Sequence, residues 1–145
     1  MRAVLQRVTG GSVRIEKKEV ASIGRGLVVL LGIARGDTPQ AAESLAKKTA
    51  ALRIFEDENG KMNLSALDTS AEILLVSQFT LCADVSRGRR PGFETAAPPD
   101  EAKELCAEFA DALRGRGLAV REGVFGGHMN VTILNDGPVT FVVDG

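Results

Sequence analysis

GLVVLLGI, at residues 26–33, is continuous, apolar and rich in β-branched side chains. A strand with one solvated face alternates apolar and polar residues, whereas a strand covered on both faces is apolar throughout. This run therefore predicts a central buried strand. EILLVSQF, at residues 72–79, predicts a second buried strand for the same reason.

Two segments show the 3.6-residue period of amphipathic helices. The first helix has a cap at Asp37 or Thr38 and carries Pro39 in its first turn. The second begins near Asp100 and ends at Gly115 and Gly117. Their apolar stripes are Ala42, Leu45, Thr49 and Leu52 in the first helix and Ala102, Leu105, Cys106, Phe109 and Leu113 in the second.

The other apolar stretches are short and predict strands. Turns are expected at Gly10-Gly11, Lys17-Lys18 and Asn59-Gly60. The strands expected between such turns are 1–8, 12–16, 20–23, 53–56, 118–121, 129–134 and 139–143.

These elements predict an α/β fold of the α+β-like kind, in one domain at residues 1–145. Two long helices are too few to cover both faces of one parallel sheet. We therefore expect mixed or antiparallel β layers with both helices packed on one side. Because the helices leave apolar strand faces uncovered, we also expect a homodimer.

Composition narrows the range of functions. The formal net charge is −1 and the pI is about 5.9, so a nucleic acid would have to bind a local basic patch. The longest apolar run, residues 26–34, is too short to cross a bilayer, and no signal peptide is recognisable. We expect a cytoplasmic protein that does not bind membranes.

Cys82 and Cys106 lack metal-type spacing, and we interpret both as packing residues. With one histidine and no CxxC motif, a zinc or iron site has no support. No metal or other cofactor is expected.

Ser77 and Thr80, in the segment SQFTL, are candidate reactive hydroxyls. They would point to opposite faces of a regular strand, although a bend could bring both to one site. A nucleophilic hydroxyl normally needs an adjacent base. The only histidine, His128, has no recognisable acid to orient it, so we interpret it as a partly exposed loop residue.

Gly137-Pro138, in the segment NDGPVT, is the second candidate. The sequence alone favours a simple turn that joins two strands. The alternative is functional: proline would hold an unobstructed glycine carbonyl rigidly, and about 5–6% of X-Pro bonds in folded proteins are cis.

Two further segments allow two interpretations each. The segment 123–127 is glycine-rich but matches no phosphate loop; it is either a flexible turn or a surface where a base lies against Phe125 or Met129. The loop 84–99 carries Arg87, Arg89 and Arg90, which are either solvated or phosphate-binding.

The chain resembles the D-aminoacyl-tRNA deacylase family across almost its whole length. The resemblance is carried by MRAVLQRV, IGRGLVVLLGIARGDT, LRIFEDENGKMN, LLVSQFTL, GRRP and NDGPVT, in that order. It implies hydrolysis of the ester between tRNA and a D-amino acid or glycine, including glycyl-tRNA mischarged on tRNA(Ala). It also implies binding of the acceptor end, a homodimer with active sites at the interface, and no DNA partner.

The resemblance also implies roles for residues. Gly137-Pro138 would be a Gly-cisPro pair that reaches across from the partner subunit and rejects L-amino acids. Arg7 would hold that pair, and Ser77, Gln78, Phe79 and Thr80 would line the pocket. The other substrate-binding residues would be Leu81, Phe125, Gly126, Met129 and Asn135, with Phe125 and Met129 near the terminal adenosine. Gly127 and Cys82 replace an alanine and a tyrosine common in the family, which affects local pocket shape.

The mechanism stays open at this point. Water attack assisted by the 2′-hydroxyl of the RNA is the first alternative, and Thr80 as a nucleophile is the second. A related deacylase that acts on an L-amino acid such as alanine would have a trans Gly-Pro bond. After these two enzymes, the third hypothesis for the function is a non-catalytic RNA-binding or dimeric scaffold domain, against which SQFTL and NDGPVT both argue.

Overall fold

A computed structural model describes residues 1–145. It contains eight strands, two long helices, one short helix and one 3-10 turn. In chain order they are β1 (Arg2–Ile15), β2 (Lys18–Ile23), β3 (Gly26–Gly32), α1 (Pro39–Ala51), β4 (Phe55–Glu56), β5 (Met62–Leu64), α2 (Ala66–Thr69), β6 (Glu72–Ser77), the 3-10 turn (Phe79–Cys82), α3 (Pro99–Arg114), β7 (Val120–Glu122) and β8 (Asn130–Asp144).

The main sheet is mixed and has β1 at its centre. One edge of β1 pairs with β8, and the other pairs with β3 and then β2, all antiparallel. The sheet continues through β6 and β7, which join β3 in parallel. A separate hairpin is formed by β4 and β5. The predicted fold class, mixed β layers with helices, is confirmed.

The core has two parts because β3 and β6 are covered on both faces. Leu27, Val29 and Leu31 point toward α1 and α3, where Phe109 is completely buried. Val28 points to the opposite face and packs in a smaller cluster with Leu74, Val76, Val8, Val13 and Ile23. The continuous apolar sequence of β3 thus follows from burial on both sides, as predicted.

Both long helices begin and pack as their sequences predict. Thr38 caps α1, and its side chain accepts a hydrogen bond from the Ala41 amide at 3.2 Å. Asp37 takes no part in that cap; its carboxylate accepts from the Ala34 amide at 2.7 Å. The predicted apolar stripes face the core, and Leu52 is half-buried at the end of α1.

The turn predicted at Gly10-Gly11 is wrong. The strand β1 continues through both glycines. One of its edges pairs with β8 along most of its length, and the other pairs first with β3 and then, from Gly11 onward, with β2. A Cβ on Gly11 would lie 2.9 Å from Cγ2 of Val28, so glycine is needed here for close packing. Glycine pairs favour turns in general, but non-local strand pairing determines the conformation here.

The two strands predicted at 129–134 and 139–143 are one strand, β8, and NDGPVT is not a simple turn. Gln6 pairs with Thr140 and Val8 with Asn135, so the four residues 136–139 lie opposite Arg7 alone. This arrangement is a large bulge, named the 136–139 bulge below. The partner strand on both sides of it is β1, which local sequence patterns do not reveal.

Smaller differences concern ends of elements. The turn between β1 and β2 lies at Glu16-Lys17, one residue earlier than predicted, and β6 ends at Ser77 rather than Phe79. The short helix α2 was not predicted, although Ser65 and Asp68 form a capping box. None of the helices has the length and apolar character that a membrane span requires.

Candidate active site

The chain bends sharply where β6 ends. The Gln78 amide donates to the Leu31 carbonyl at 2.8 Å, and the 3-10 turn begins at Phe79. Ser77 and Thr80 therefore do not lie on one regular strand. The hydroxyl of Thr80 is exposed and accepts a hydrogen bond from the side-chain amide of Gln78.

A cavity of about 740 Å³ opens at this bend. Its volume is in the range of small-molecule sites. Six predicted site residues line it together: Ser77, Gln78, Phe79, Phe125, Gly126 and Met129. The rest of the wall comes mainly from the end of β3, from α3 and from the loop before α3, including Leu31, Ile33, Phe93, Ala97, Ala102 and Cys106.

Aromatic side chains form one side of the cavity. The rings of Phe79 and Phe93 pack with their centroids 4.9 Å apart, at an angle of 58°. Both side chains remain exposed, at 55% and 38%. Exposed phenylalanines beside a cavity provide a surface on which an RNA base can stack.

The cavity wall contains no aspartate or glutamate. Its groups that titrate or carry charge are Arg35, His128 and Cys106. Burial raises the pKa of the Cys106 thiol to about 11, so this side chain stays protonated at neutral pH and is a poor nucleophile. The wall thus offers neither a carboxylate base nor a thiolate.

His128 lines the cavity but makes no side-chain hydrogen bond or ion pair within the chain. It is exposed, as predicted, and no carboxylate orients its ring as an acid would in a Ser-His-Asp triad. Ser77 likewise has no hydrogen-bonded base.

We expect the His128→Ala variant to keep kcat/KM on the ester substrate that the family resemblance implies within about threefold of wild type, since this ring has no orienting partner. Steady-state deacylation measures the change, and His128→Asn is the control for lost volume. A fall of about a hundredfold, or ~2.7 kcal/mol in barrier height, would require a histidine mechanism.

Arg7 contacts the 136–139 bulge through Asp136. Its side chain is 5% exposed, and its Nε lies 3.3 Å from the Asp136 carbonyl oxygen and 3.2 Å from Oδ2 of the same residue. Nη1 donates to the Ile54 carbonyl at 2.9 Å, and Nη2 lies 3.4 Å from Oε1 of Glu56. One buried guanidinium thus ties the bulge to Ile54, which precedes β4, and to Glu56 within β4.

The backbone of the bulge is specialised. The Gly137-Pro138 peptide bond is cis, and Gly137 has a φ of +122°. A Cβ on Gly137 would lie 2.8 Å from Cγ2 of Val139, so both conformation and space favour glycine. Gly137 and Pro138 are exposed.

The remaining predicted site residues do not line this chain's cavity. They are Arg7, Thr80, Leu81, Asn135, Gly137 and Pro138. Leu81 packs near Gly32, and the side-chain amide of Asn135 donates to the hydroxyl of Thr140 at 3.1 Å. Within one chain the sequence-based set therefore divides into a cavity group, a group at or against the bulge (Arg7, Asn135, Gly137 and Pro138), and two residues of the 3-10 turn, Thr80 and Leu81.

Sequence reasoning missed several residues of the cavity wall, among them Arg35, Phe93 and Cys106. The signal for Phe93 was available, because it lies in the one long loop and such loops are often functional. Arg35 and Cys106 gave no such signal. No group of three or more His, Cys, Asp or Glu side chains is placed to hold a metal ion.

A second cavity, of about 560 Å³, lies between α1 and α3. It is lined mostly by polar side chains and contains none of the predicted site residues. The cavity at the end of β6 is therefore the candidate active site.

The fold is shared with solved structures of similar proteins. One, described as c-Myc DNA unwinding element binding protein, has a TM-score of 0.94 at 43% identity and covers 100% of this chain and 99% of its own. Another, described as a probable eukaryotic D-amino acid tRNA deacylase, has a TM-score of 0.83 at 22% identity, with coverages of 99% and 98%. These likenesses and the cavity define the class: a small mixed α/β protein with a cavity at the end of β6.

The chain belongs to the D-Tyr-tRNA(Tyr) deacylase family, whose model matches residues 4–144. A D-aminoacyl-tRNA deacylase from Deinococcus deserti is 56% identical over 144 residues, covering 99% of both chains. One from Thermotoga petrophila is 53% identical, covering 99% of this chain and 97% of its own. The predicted family and enzyme class are confirmed.

Proposed function

We propose that this protein hydrolyses the ester that links a D-amino acid to tRNA. The observation that carries the proposal is the full-length similarity to D-aminoacyl-tRNA deacylases, in a chain whose SQFTL segment borders a cavity of suitable size. The experiment that tests it compares release of D- and L-tyrosine from charged tRNA. We also propose that the protein acts in the cytoplasm, where charged tRNA is used.

In the proposed reaction, water adds to the carbonyl carbon of the aminoacyl ester. The bond from that carbon to the ribose oxygen then breaks, the free amino acid leaves, and the ribose oxygen takes a proton. The adjacent ribose hydroxyl of the RNA is well placed to assist, and it also distinguishes RNA from DNA. The absence of a carboxylate from the cavity wall favours this route over a protein base. Positioning and stabilisation of the oxyanion by backbone groups supply the remaining catalysis.

We propose that the active form is a homodimer in which one subunit's 136–139 bulge closes the other subunit's cavity. Gly137 and Pro138 do not line the cavity of their own chain, so a second copy is needed to bring them there. The outer edge of β8 pairs with no strand, and Leu134, Phe141 and Val142 on it are 57%, 37% and 64% exposed. Exposed apolar side chains on an unpaired edge favour association with another copy.

Rejection of L-amino acids would follow from exclusion. A rigid main-chain segment over the cavity occupies the space that an L side chain would need, whereas a D side chain points away from it. Glycine has no side chain to exclude, so glycyl-tRNA, including glycine mischarged on tRNA(Ala), is also a proposed substrate.

The competing mechanism makes Thr80 a covalent nucleophile. The Thr80 hydroxyl accepts from the Gln78 amide and has no base beside it, which disfavours this route. We therefore expect Thr80→Ala to retain at least about a tenth of wild-type kcat, since loss of a true nucleophile costs several orders of magnitude.

Single-turnover deacylation measures the Thr80→Ala rate, and Thr80→Ser is the matched control that keeps the hydroxyl. Loss of a thousandfold or more in the alanine variant, with activity kept in the serine variant, would establish the covalent route and exclude the RNA-assisted one.

The second candidate function is a related deacylase for L-alanine. The relatives from Deinococcus deserti and Thermotoga petrophila are both named D-aminoacyl-tRNA deacylases, which favours the first proposal over this one and over a non-catalytic scaffold.

A further inference from the structure

Residues 84–92 form a small hairpin, named the arginine hairpin here, in the loop before α3. Asp84 and Gly92 close it with two backbone hydrogen bonds of 2.8 Å each. Arg87, Arg89 and Arg90 lie between them, and all three are exposed. None of the three forms an ion pair or a hydrogen bond within the chain.

The base of the arginine hairpin is fixed to the cavity wall. Phe93, the next residue after it, packs its ring on Phe79 inside the cavity. The backbone of Arg35 donates to the Thr95 carbonyl at 2.9 Å, and its Nε donates to the Glu94 carbonyl at 2.6 Å. The three arginines therefore lie on a hairpin whose base is fixed to the cavity wall.

The tip of the hairpin is positively charged, whereas the whole chain has a net charge of −1. Residues 85–92 contain three arginines and no aspartate or glutamate. The acids that flank this tip are Asp84 and Glu94. Hydrogen bonds from Ser86 lower the pKa of the Asp84 carboxyl, whose Oδ1 accepts from the Ser86 amide at 2.9 Å.

Five of the nine arginines outside the hairpin pair with an aspartate or glutamate of the same chain: Arg2, Arg7, Arg14, Arg114 and Arg116. Arg121 is exposed and unpaired as well, but it is a single arginine, whereas the hairpin places three unpaired guanidinium groups within four residues. Such a cluster of unpaired positive charge is suited to an external anionic partner. Guanidinium groups bind phosphate with two parallel hydrogen bonds, which makes phosphate a suitable partner.

We propose that the arginine hairpin binds backbone phosphates of the tRNA strand that leads into the cavity. The proposal rests on the proposed function, because an aminoacylated terminal nucleoside in the cavity would direct the preceding phosphates past the rim. The hairpin then contributes affinity for tRNA and takes no part in ester cleavage. It also explains how a chain of net charge −1 binds a polyanion.

The test is a triple variant, Arg87→Gln, Arg89→Gln and Arg90→Gln, assayed on two substrates. On D-tyrosyl-tRNA at low salt, we expect KM to rise at least about tenfold with kcat unchanged. Each phosphate contact on a single strand contributes about 0.7 to the slope of log affinity against log salt, so the slope should weaken by about 2. On D-tyrosyl-adenosine, which has no phosphate, the variant should match wild type.

The control variant removes three exposed lysines outside the cavity wall: Lys47→Gln, Lys48→Gln and Lys61→Gln. It should leave KM for tRNA and the salt slope nearly unchanged. Equal loss in both triple variants would mean that only general charge matters and would overturn the proposal. Equal loss on D-tyrosyl-adenosine would also overturn it, because the arginines would then shape the cavity itself.

Equilibrium binding of uncharged tRNA separates this proposal from the proposed function. If the slope of log affinity against log salt is weaker by about 2 in the arginine variant than in wild type, the hairpin's role stands whether or not the ester is cleaved. If the two proteins bind tRNA identically at every salt concentration, the hairpin proposal is wrong even where deacylation is observed.

Discussion

Purified protein is expected to release D-tyrosine from D-tyrosyl-tRNA at least about a hundredfold faster than L-tyrosine from L-tyrosyl-tRNA, a difference of ~2.7 kcal/mol in barrier height. The expectation follows from steric exclusion of the L side chain, since a rigid backbone wall cannot move aside for it. Single-turnover assays with the same tRNA charged with either enantiomer measure the ratio.

Glycyl-tRNA(Ala) is the informative third substrate, because glycine is achiral. We expect its rate to lie much nearer the D-tyrosyl rate than the L-tyrosyl rate. Equal rates on D- and L-tyrosyl-tRNA would remove the chirality proposal, and preferential hydrolysis of L-alanyl-tRNA would identify the alternative deacylase. Binding of tRNA without hydrolysis of any ester would favour the scaffold hypothesis.

The Arg7→Ala variant is expected to lose at least about a hundredfold in kcat/KM on D-tyrosyl-tRNA while remaining folded. Arg7 is the buried group that contacts Asp136, Glu56 and the Ile54 carbonyl together. Its removal leaves the Ile54 carbonyl without that partner, at a cost of about 1–3 kcal/mol. A domain with the usual stability of roughly 5–15 kcal/mol tolerates this loss, but the bulge is no longer held in place.

Thermal unfolding and deacylation of the same samples separate the two effects. Arg2→Ala is the matched control on the same strand, because Arg2 forms an exposed ion pair with Asp144, 2.7 Å away. Exposed ion pairs contribute little to the free energy of unfolding, so the stability and activity of Arg2→Ala should be nearly those of wild type. An Arg7→Ala protein that is folded and fully active would show that the bulge needs no support from this residue.

Mixing experiments test whether the bulge is supplied by the partner subunit. Phe79→Glu places a carboxylate at the cavity and should inactivate that cavity, while leaving the bulge intact; Phe79 is 55% exposed, so the fold should tolerate the change. Arg7→Ala leaves the cavity intact and disturbs the bulge. In a mixed dimer, one cavity would meet one intact bulge, so mixing two inactive proteins should restore activity. A site built within one chain would show no recovery.

The elements that could be predicted from sequence are those whose conformation is determined by residues close together in the chain. The strand β3 is apolar at every position because both faces are covered, and α1 shows its cap, its proline and its stripe within fourteen residues of Thr38. Ser77 and Phe79 were identified as site residues by resemblance to a family, and the structure places both in the cavity wall.

The elements that were mispredicted depend on distant partners. Gly10-Gly11 has the composition of a turn, but β8 and Val28 determine that it stays extended. NDGPVT also has the composition of a turn, yet β1 pairs on both sides of it and turns it into a bulge over Arg7. Short-range composition cannot report a pairing between residues more than a hundred positions apart.

The amino-acid sequence alone determined the family, the helices, the buried strands and most of the residues with a proposed role. Tertiary structure decided which of those residues meet: Ser77, Phe125 and Met129 share one cavity, whereas Gly137 and Pro138 lie on a bulge outside it. The physical reason is that a side chain's identity is a local property, while a cavity exists only where strands and helices from distant parts of the chain pack and leave space between them.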